Sequence, residues 1–583
     1  MAYVVTQSCC ADASCVVACP VNCIHPAPGE PGFRTSPMVY VDAAACVGCG
    51  ACATACPVDA VKPDTALSPA QQPFIALNAE YYDLFPHADR TPVAVVPPQR
   101  RLQRPGPFRV AVIGAGPAGL YTADELLKHP EVTGVDVYDR LRTPYGLVRH
   151  GVAPDHRSTK QVANLFAQIE EQPGFRYFLG VPVDTSDDEP SHFETRTDTL
   201  RGTNPHTSGI TLAELRAHYD AVVYAVGASS DRALGIPGEE LAGSLAATDV
   251  VGWYNGHPDQ QALDLPLDAA RNPARRAVVI GNGNVALDVA RILSRDVAVL
   301  AATDLAPEPL AQLHSSDLRE VVVLGRRGPA QAAFTVPELI GMAELTDVDV
   351  IVDAEPALLD GPGQALQLLR EMAARAPSGE PERRRVVLTF TSAPVEMLGG
   401  DDGAVTGVRV ARTNLVGDET GTVRAELTDD VRTIETGLVI RSIGHRGRPV
   451  AGLPFDESTG TVPNDHGRVE PGVYVVGWIK RGPTGFIGTN KTCAQETVET
   501  LLDDLDAGLP SPIGSAETIA GLVARSHPDA AGLAAWQALD AAERRAGVAV
   551  GRPRVKITDP AAQRGVPVAE PRTPRRRLRR TVS

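Results

Sequence analysis

Two stretches of the chain share one pattern: a short apolar run, a glycine-rich turn, then apolar positions at helical spacing. They are RVAVIGAGPAGLYTADELL over 109–127 and RRAVVIGNGNVALDVARIL over 275–293. An apolar run closed by glycines predicts a buried strand, and the spacing after it predicts a helix packed on that strand. Each unit is followed by another strand candidate, VDVY at 135–138 and EVVVLGRR at 320–327. Between the units lie VVYAVGA (222–228) and a predicted loop containing Trp253. Short strands are expected after residue 440, and a helical pattern of alanine, leucine and charged residues runs from about 495 to 545. Residues 67–107 carry Pro69, Pro73, Pro86, Pro92, Pro97, Pro98, Pro105 and Pro107 and little helix or strand pattern. That composition predicts a semi-rigid linker.

Length and cysteine placement change this picture. A chain of 583 residues is too long for one core, and about three to four domains are expected. Hydrophobic content of 43% and charged content of 22% exclude disorder, collagen and coiled coil for the whole chain. Nine of the ten cysteines lie in the first 56 residues, and the tenth is Cys493. The first residues have no basic start and no run of apolar residues is long enough to span a membrane, so a cytoplasmic protein is expected. There, clustered cysteines more often bind metal than form disulfides. The net charge of −16 argues against nucleic-acid binding by the chain as a whole. A basic tail over 561–583, with Arg572, Arg575, Arg576, Arg577, Arg579 and Arg580, reads as a solvated segment or a contact for acidic partners.

The cysteine-rich residues 1–66 contain an internal repeat, each half ending in Cys-Pro-Val. The second half reads Cys46-x2-Cys49-x2-Cys52-x3-Cys56-Pro57, the bacterial iron–sulfur run whose fourth cysteine ligates the other cluster. The first half has the same spacing, Cys9, Asp12, Cys15, Cys19, with Asp12 in the second ligand slot. By the crossover rule, Cys46, Cys49, Cys52 and Cys19 hold one [4Fe–4S] cluster. Cys9, Cys15 and Cys56 hold the other, with Asp12 as a fourth ligand in one alternative. Three thiolates favour [3Fe–4S], whereas a carboxylate, being a harder and weaker ligand, allows a labile [4Fe–4S] form. Cys10 and Cys23 are spare. This head resembles bacterial seven-iron or eight-iron ferredoxins, an α+β fold.

In the first unit, Gly114-x-Gly116-x-x-Gly119 allows a tight turn and close approach of a pyrophosphate to a helix N-terminus. Asp139 follows twenty residues after Gly119, where an acid hydrogen-bonds a ribose hydroxyl. In the second, Gly281-x-Gly283-x-x-Ala286 repeats the logic. Its next strand ends in Arg326-Arg327 rather than an acid, which suits the 2′-phosphate of NADP.

The text PYGLVRHGVAPDH (144–156) and GWIKRGPTGFIGT (477–489) resembles adrenodoxin-reductase-type ferredoxin–NADP reductases, through most of residues 108–560. The resemblance implies tandem Rossmann-like α/β domains of glutathione-reductase type. It implies FAD along Gly114, Ala115, Gly116, Gly119, Asp139, Leu147, Val183, Trp478, Gly485, Phe486 and Ile487, with Gly485 also near the nicotinamide. It implies NADP(H) along Gly281, Gly283, Asn284, Val285, Arg326, Arg327 and Glu338, and His156 as a proton relay by the flavin. A helix is expected to open at about Thr484. The family often has a second glutamate where this chain has Gly341.

The expected organisation is therefore a ferredoxin domain (1–66), a linker (67–107), an FAD domain in two parts (108–229 and 444–560), an NADP domain (230–443) and the basic tail. The expected activity is NADPH-dependent transfer of single electrons, via FAD and iron–sulfur clusters, to a ferredoxin or to acceptors such as cytochromes P450. Alternatives are an electron-input subunit like those of glutamate synthase, or a cluster-based redox sensor. A disulfide reductase is excluded, because no cysteine lies between Cys56 and Cys493.

Overall fold

The computed structural model describes residues 1–93, 100–183, 209–380, 382–418, 422–509 and 511–568. Pro97, Pro98 and all six arginines named in the tail lie outside the described residues.

Phe108–Ile113 is almost wholly buried, as a run of apolar residues requires, and takes a central place in a six-stranded sheet. The order is Arg468–Glu470, Val473–Val475, Ala221–Tyr224, Phe108–Ile113, Val132–Asp139, Phe175–Leu179. All neighbours run parallel except the first pair. The sheet thus takes strands from two distant stretches of chain. Helix Pro117–Leu127 leaves the first turn and packs against helix Thr489–Ala507.

A second six-stranded sheet is parallel throughout, in the order Ser244–Ala246, Leu438–Arg441, Arg276–Ile280, Glu320–Leu324, Arg385–Thr389, Asp349–Asp353. An antiparallel meander, Ser392–Gly399, Val405–Gly417 and Val423–Glu435, stands beside it. Both six-stranded sheets are Rossmann-like, so the chain is a multidomain α/β protein with an α+β cysteine head. Among the described residues no helix is long and apolar enough to cross a membrane.

The head keeps its sequence repeat in three dimensions. Helices Ser14–Ala18 and Ala51–Ala55 both start from a left-handed residue, Ala13 (φ 59°) and Gly50 (φ 79°). Both end on an extended cysteine, Cys19 and Cys56. Two antiparallel pairs, Tyr3–Val5 with Val61–Pro63 and Ile24–His25 with Tyr40–Val41, complete it.

Three expectations are corrected. The stretch 67–107 is not poor in helix: Pro73–Leu84 is helical, with Pro73 in its first turn, where a missing N–H costs nothing. Asn78 on this helix donates to the carbonyl of Val5 (2.9 Å) and accepts from the N–H groups of Val5 (3.2 Å) and Val41 (2.9 Å). Tyr82 donates to the carbonyls of Tyr40 (2.8 Å) and Cys23 (3.0 Å). The segment is therefore part of the head. Trp253 is not in a loop but in helix Ala247–Asn255, buried at 2% exposure. The helix after Gly485 opens at Thr489 rather than Thr484, because Gly485 holds a left-handed φ of 82°.

Candidate functional site

The first turn is built on contacts that only glycine permits. Gly114 has φ +111°, and a Cβ there would lie 2.5 Å from the Ala225 carbonyl oxygen. A Cβ on Gly119 would lie 1.9 Å from the Gly114 oxygen, so helix and strand could not close. Gly116 is the N-cap. Asp139, at the end of its strand, accepts the N–H groups of Ala115 and Leu141, both at 2.8 Å. Burial pushes its carboxyl above the usual range, against those two hydrogen bonds. The PYGLVRH stretch folds back onto the turn through the Tyr145 N–H to the Ala115 carbonyl (2.8 Å). Leu147 begins a short helix there and is 48% exposed. Val183 bridges to Ile210. Arg149 of the same stretch forms a buried ion pair with Glu543 (2.6 and 2.9 Å).

The segment 477–489 closes this site. Trp478 stacks on His445 at 5.6 Å between ring centroids and donates to the Thr484 carbonyl (3.2 Å). The Phe486 N–H donates to the Thr489 hydroxyl (2.9 Å), and Ile487 packs at the edge of the core. Among the described residues, two buried N–H donors of Arg481 find no acceptor. A polar ligand such as FAD suits those donors and the glycine cradle.

In the second turn, Gly281 (φ +111°) would place a Cβ 2.1 Å from the Ser442 oxygen, whereas a Cβ on Gly283 would meet nothing within 4 Å. Open space at a helix N-cap is what a pyrophosphate needs. Asn284 accepts the Thr335 N–H (2.8 Å), and Val285 beside it is half-buried. Arg326 is exposed and Arg327 half-buried. Among the described residues neither guanidinium pairs with a carboxylate. Their carbonyls accept from Thr413 (2.8 Å) and Thr391 (3.1 Å) instead, which fixes the backbone. This arrangement fits a bound 2′-phosphate.

The two units meet at a charged knot. Arg291, buried on helix Asn284–Ser294, grips Asp155 at 2.8 and 3.1 Å, Asp288 at 2.5 Å and the His156 Nε2 at 2.7 Å. A guanidinium only donates, so the His156 Nε2 accepts and the ring proton sits on Nδ1. Glu338, in the first turn of helix Val336–Ala343, lies 3.7 Å from His156 and 3.6 Å from Arg291. Burial pushes its carboxyl above the usual range, and Asp288 adds to this. Sequence reasoning named His156 and Glu338 but missed Arg291, Asp155 and Asp288. The available signal was a lone arginine on a mostly apolar helix.

No two of the cysteines are joined in a disulfide. One small cavity is lined by Cys19, Cys46, Cys49 and Cys52, with Cys23 beside them. The Cys23 thiol lies 3.4 Å from the Cys19 sulfur and holds the Cys19 thiol below its ordinary range. Cys9, Cys15, Cys56 and Asp12 influence one another electrostatically. Backbone N–H groups of Ala11, Cys23 and Ala60 donate to the sulfurs of Cys9, Cys19 and Cys56 at 3.4, 3.4 and 3.2 Å. Such bonds favour thiolate. Burial opposes it, pushing Cys9 up to about 12 and Cys15 upward, a cost that binding to iron would offset. The donor chemistry fits iron–sulfur clusters. Asp12 accepts the Ser14 hydroxyl.

The head also touches the closing segment. The Gly488 N–H donates to the Cys10 carbonyl at 2.7 Å.

Comparison with known proteins agrees with this organisation. A family model described as pyridine nucleotide-disulphide oxidoreductase matches residues 108–323, and one described as 4Fe-4S binding domain matches residues 39–62. A Mycobacterium bovis protein named probable ferredoxin/ferredoxin–NADP reductase is 45% identical over 604 residues, covering 99% of this chain and 97% of that protein. The NADPH-ferredoxin reductase FprA of Mycobacterium tuberculosis is 44% identical and covers 77% of this chain and 97% of its own length. The solved structure of that organism's FprA in complex with NADPH matches with a TM-score of 0.69 at 42% identity, over 79% of this chain and 99% of the other.

Proposed function

The chain belongs to the ferredoxin/ferredoxin–NADP reductase family of oxidoreductases, and from that premise we propose that it oxidises NADPH and delivers the two electrons singly. They go to two iron–sulfur clusters within residues 1–66 and on to a one-electron acceptor, a ferredoxin or a cytochrome P450. When bound, FAD supplies the conversion of a hydride pair into single electrons, and the clusters supply single-electron carriage.

The chain's own residues do the rest. Gly114, Ala115, Gly116 and Gly119 admit the FAD pyrophosphate, and Asp139 stands where a ribose hydroxyl binds. Leu147, Val183, Trp478, Gly485, Phe486 and Ile487 line the cofactor. Gly281, Gly283, Asn284 and Val285 admit the NADPH pyrophosphate, and Arg326 and Arg327 select the 2′-phosphate. Arg291 keeps the proton of His156 on Nδ1, leaving that N–H to donate. Glu338 shares the knot as a protonatable neighbour. Cys19, Cys46, Cys49 and Cys52 hold one cluster. Cys9, Cys15 and Cys56 hold the other with Asp12, as [3Fe–4S] or labile [4Fe–4S].

The observation that supports this reading best is the 2.7 Å contact between Cys10 and Gly488, which sets the cysteine head against the segment that closes the first nucleotide site. The test is anaerobic purification of the full chain with flavin and iron quantitation, then reduction by NADPH. One FAD and about seven or eight iron atoms per chain are expected, with NADPH bleaching the flavin and driving cytochrome c reduction. A chain that is loaded but inert to NADPH would overturn it.

A further inference from the structure

The two halves of the head have one backbone and two environments. Ala11 (φ 56°) and Gly48 (φ 70°) correspond, as do Ala13 (φ 59°) and Gly50 (φ 79°). Alanine holds the left-handed conformation in the first half, where glycine would hold it without strain. The copied loop is therefore kept in shape. Its surroundings are not copied. Cys10 is 3% exposed, whereas its counterpart Val47 is 62% exposed. Asp12 is 9% exposed, whereas its counterpart Cys49 is exposed.

The difference comes from the body of the protein. Besides the Cys10 contact, a Cβ on Gly488 would lie 2.2 Å from the Asp12 nitrogen. No side chain therefore separates this loop from the closing segment. Lys491 reaches the Ser14 hydroxyl at 3.5 Å. The Gln7 amide occupies the space beside Gly341 that a Cβ would need, 2.6 Å away. The loop of the second half, by contrast, faces outward. From Ala43 to Val58 the chain carries no charged residue.

We propose that the two ligand sets have fixed and different places in the electron path. Electrons come in at the set Cys9, Asp12, Cys15 and Cys56. They go out from the set Cys19, Cys46, Cys49 and Cys52, through the exposed uncharged loop at Val47–Cys49, to a one-electron redox protein. The proposal rests on the reading of the chain as an NADPH-oxidising flavoprotein with two clusters. Each NADPH becomes NADP+ with release of one proton and two electrons. Each electron reduces one ferric ion in the inlet set to ferrous, then one in the outlet set as the inlet is reoxidised. Two acceptor molecules each gain one electron per NADPH. The order follows from proximity, since the rate of electron transfer falls steeply with distance.

The test uses the full chain with its cofactors. Cys15→Ser removes an inlet ligand and Cys52→Ser the equivalent outlet ligand. Each variant is mixed anaerobically with NADPH and, separately, with dithionite, and cluster reduction is read by EPR. Cys15→Ser should lose NADPH-driven reduction of the remaining cluster while dithionite still reduces it. Cys52→Ser should keep NADPH-driven reduction of its remaining cluster and lose cytochrome c reduction. The reverse pattern, or the same pattern in both, would overturn the order. A wild-type flavin that NADPH fails to bleach would overturn the underlying function, and the order with it. A measurement on the wild type avoids dependence on folding of these variants. A soluble dysprosium chelate should speed spin relaxation of the outlet cluster far more than that of the inlet cluster. Asp12→Cys, which alters the inlet signal alone, assigns the two spectra. Equal or inverted relaxation would also overturn the proposal.

Discussion

Replacing Arg326 and Arg327 together by alanine should separate NADPH from NADH. Both side chains stand at the end of strand Glu320–Leu324, and their carbonyls rather than their guanidiniums hold the loop. No carboxylate among the described residues is left unpaired by the change. The fold should therefore be indifferent, with a melting temperature within about 1 °C of wild type, as for substitutions away from buried partners. Binding should not be indifferent. A hydrogen bond to a charged group contributes about 1.5–3 kcal/mol. Arg326 is exposed and Arg327 half-buried, so the lower figure applies, and two such contacts give about 3 kcal/mol. That is roughly a 150-fold loss in kcat/KM for NADPH. NADH has no 2′-phosphate, and its kcat/KM should stay within about twofold. The assay is steady-state reduction of ferricyanide by each nucleotide, with a thermal melt in parallel. Equal losses for both nucleotides would refute the 2′-phosphate role. A large drop in melting temperature would refute the claim that the guanidiniums have no carboxylate partner among the described residues.

Four further substitutions have definite expected outcomes. Gly119→Ala forces a carbon to within 1.9 Å of the Gly114 oxygen and should yield protein depleted of FAD by absorbance, whereas Gly283→Ala, with nothing within 4 Å, should melt as wild type but raise KM for NADPH. Glu543→Gln leaves Arg149 buried without its carboxylate and should cost about 3–5 kcal/mol at pH 7. Burial pushes the Glu543 carboxyl up, but Arg149 and Arg554 more than offset this and hold it below its usual range. Its contribution is present above the unfolded value of about 4.3 and lost as pH falls through the lower folded value, so the gap between wild type and variant in denaturant melts should narrow toward acid pH. Burial raises Glu170 to about 7, although the Tyr177 hydroxyl donates to it at 2.8 Å. A raised carboxyl stabilises the fold below its unfolded value of about 4.3 and loses that contribution as pH rises from there through the folded value, so Glu170→Gln should be the more stable protein at pH 8, by about 3 kcal/mol, and nearly matched at pH 4.

Much of the fold was legible because short-range chemistry dictates it. The glycines at 114, 119 and 281 are needed where backbone meets backbone, and cysteine spacing revealed a repeat that the folded head retains. Other elements were hidden for identifiable reasons. Pro69 and Pro73 looked like linker residues, but each lies in the first turn of a helical segment, where proline is tolerated. Trp253 lies on a nine-residue helix that contains Gly252, too short for a clear period. The meander over Ser392–Glu435 alternates only in part, since its last strand is mostly exposed. Arg291 could not be seen as a hub because only Asp288 is near it in sequence, whereas Asp155 and His156 lie 136 and 135 residues away. The seating of Gln7 beside Gly341 and of Cys10 on Gly488 is longer-range still, and spacing along a chain carries no trace of it.

The helix Pro73–Leu84 has a kinetic consequence. A floating head would come and go at a rate set by the slack between its anchor points, and lengthening the connection would dilute it. Here Asn78 and Tyr82 stitch the connection into the head, and Arg100 beyond it is pinned to Asp503 and Asp506 at 2.6 and 2.9 Å. The connection is therefore held to the head at one end and to the body at the other. The backbone of Gly488 is engaged by Cys10, so on the proposed function a free ferredoxin added from solution would meet the head rather than that patch. On the proposed electron path, added ferredoxin is then a downstream acceptor rather than a rival of the head.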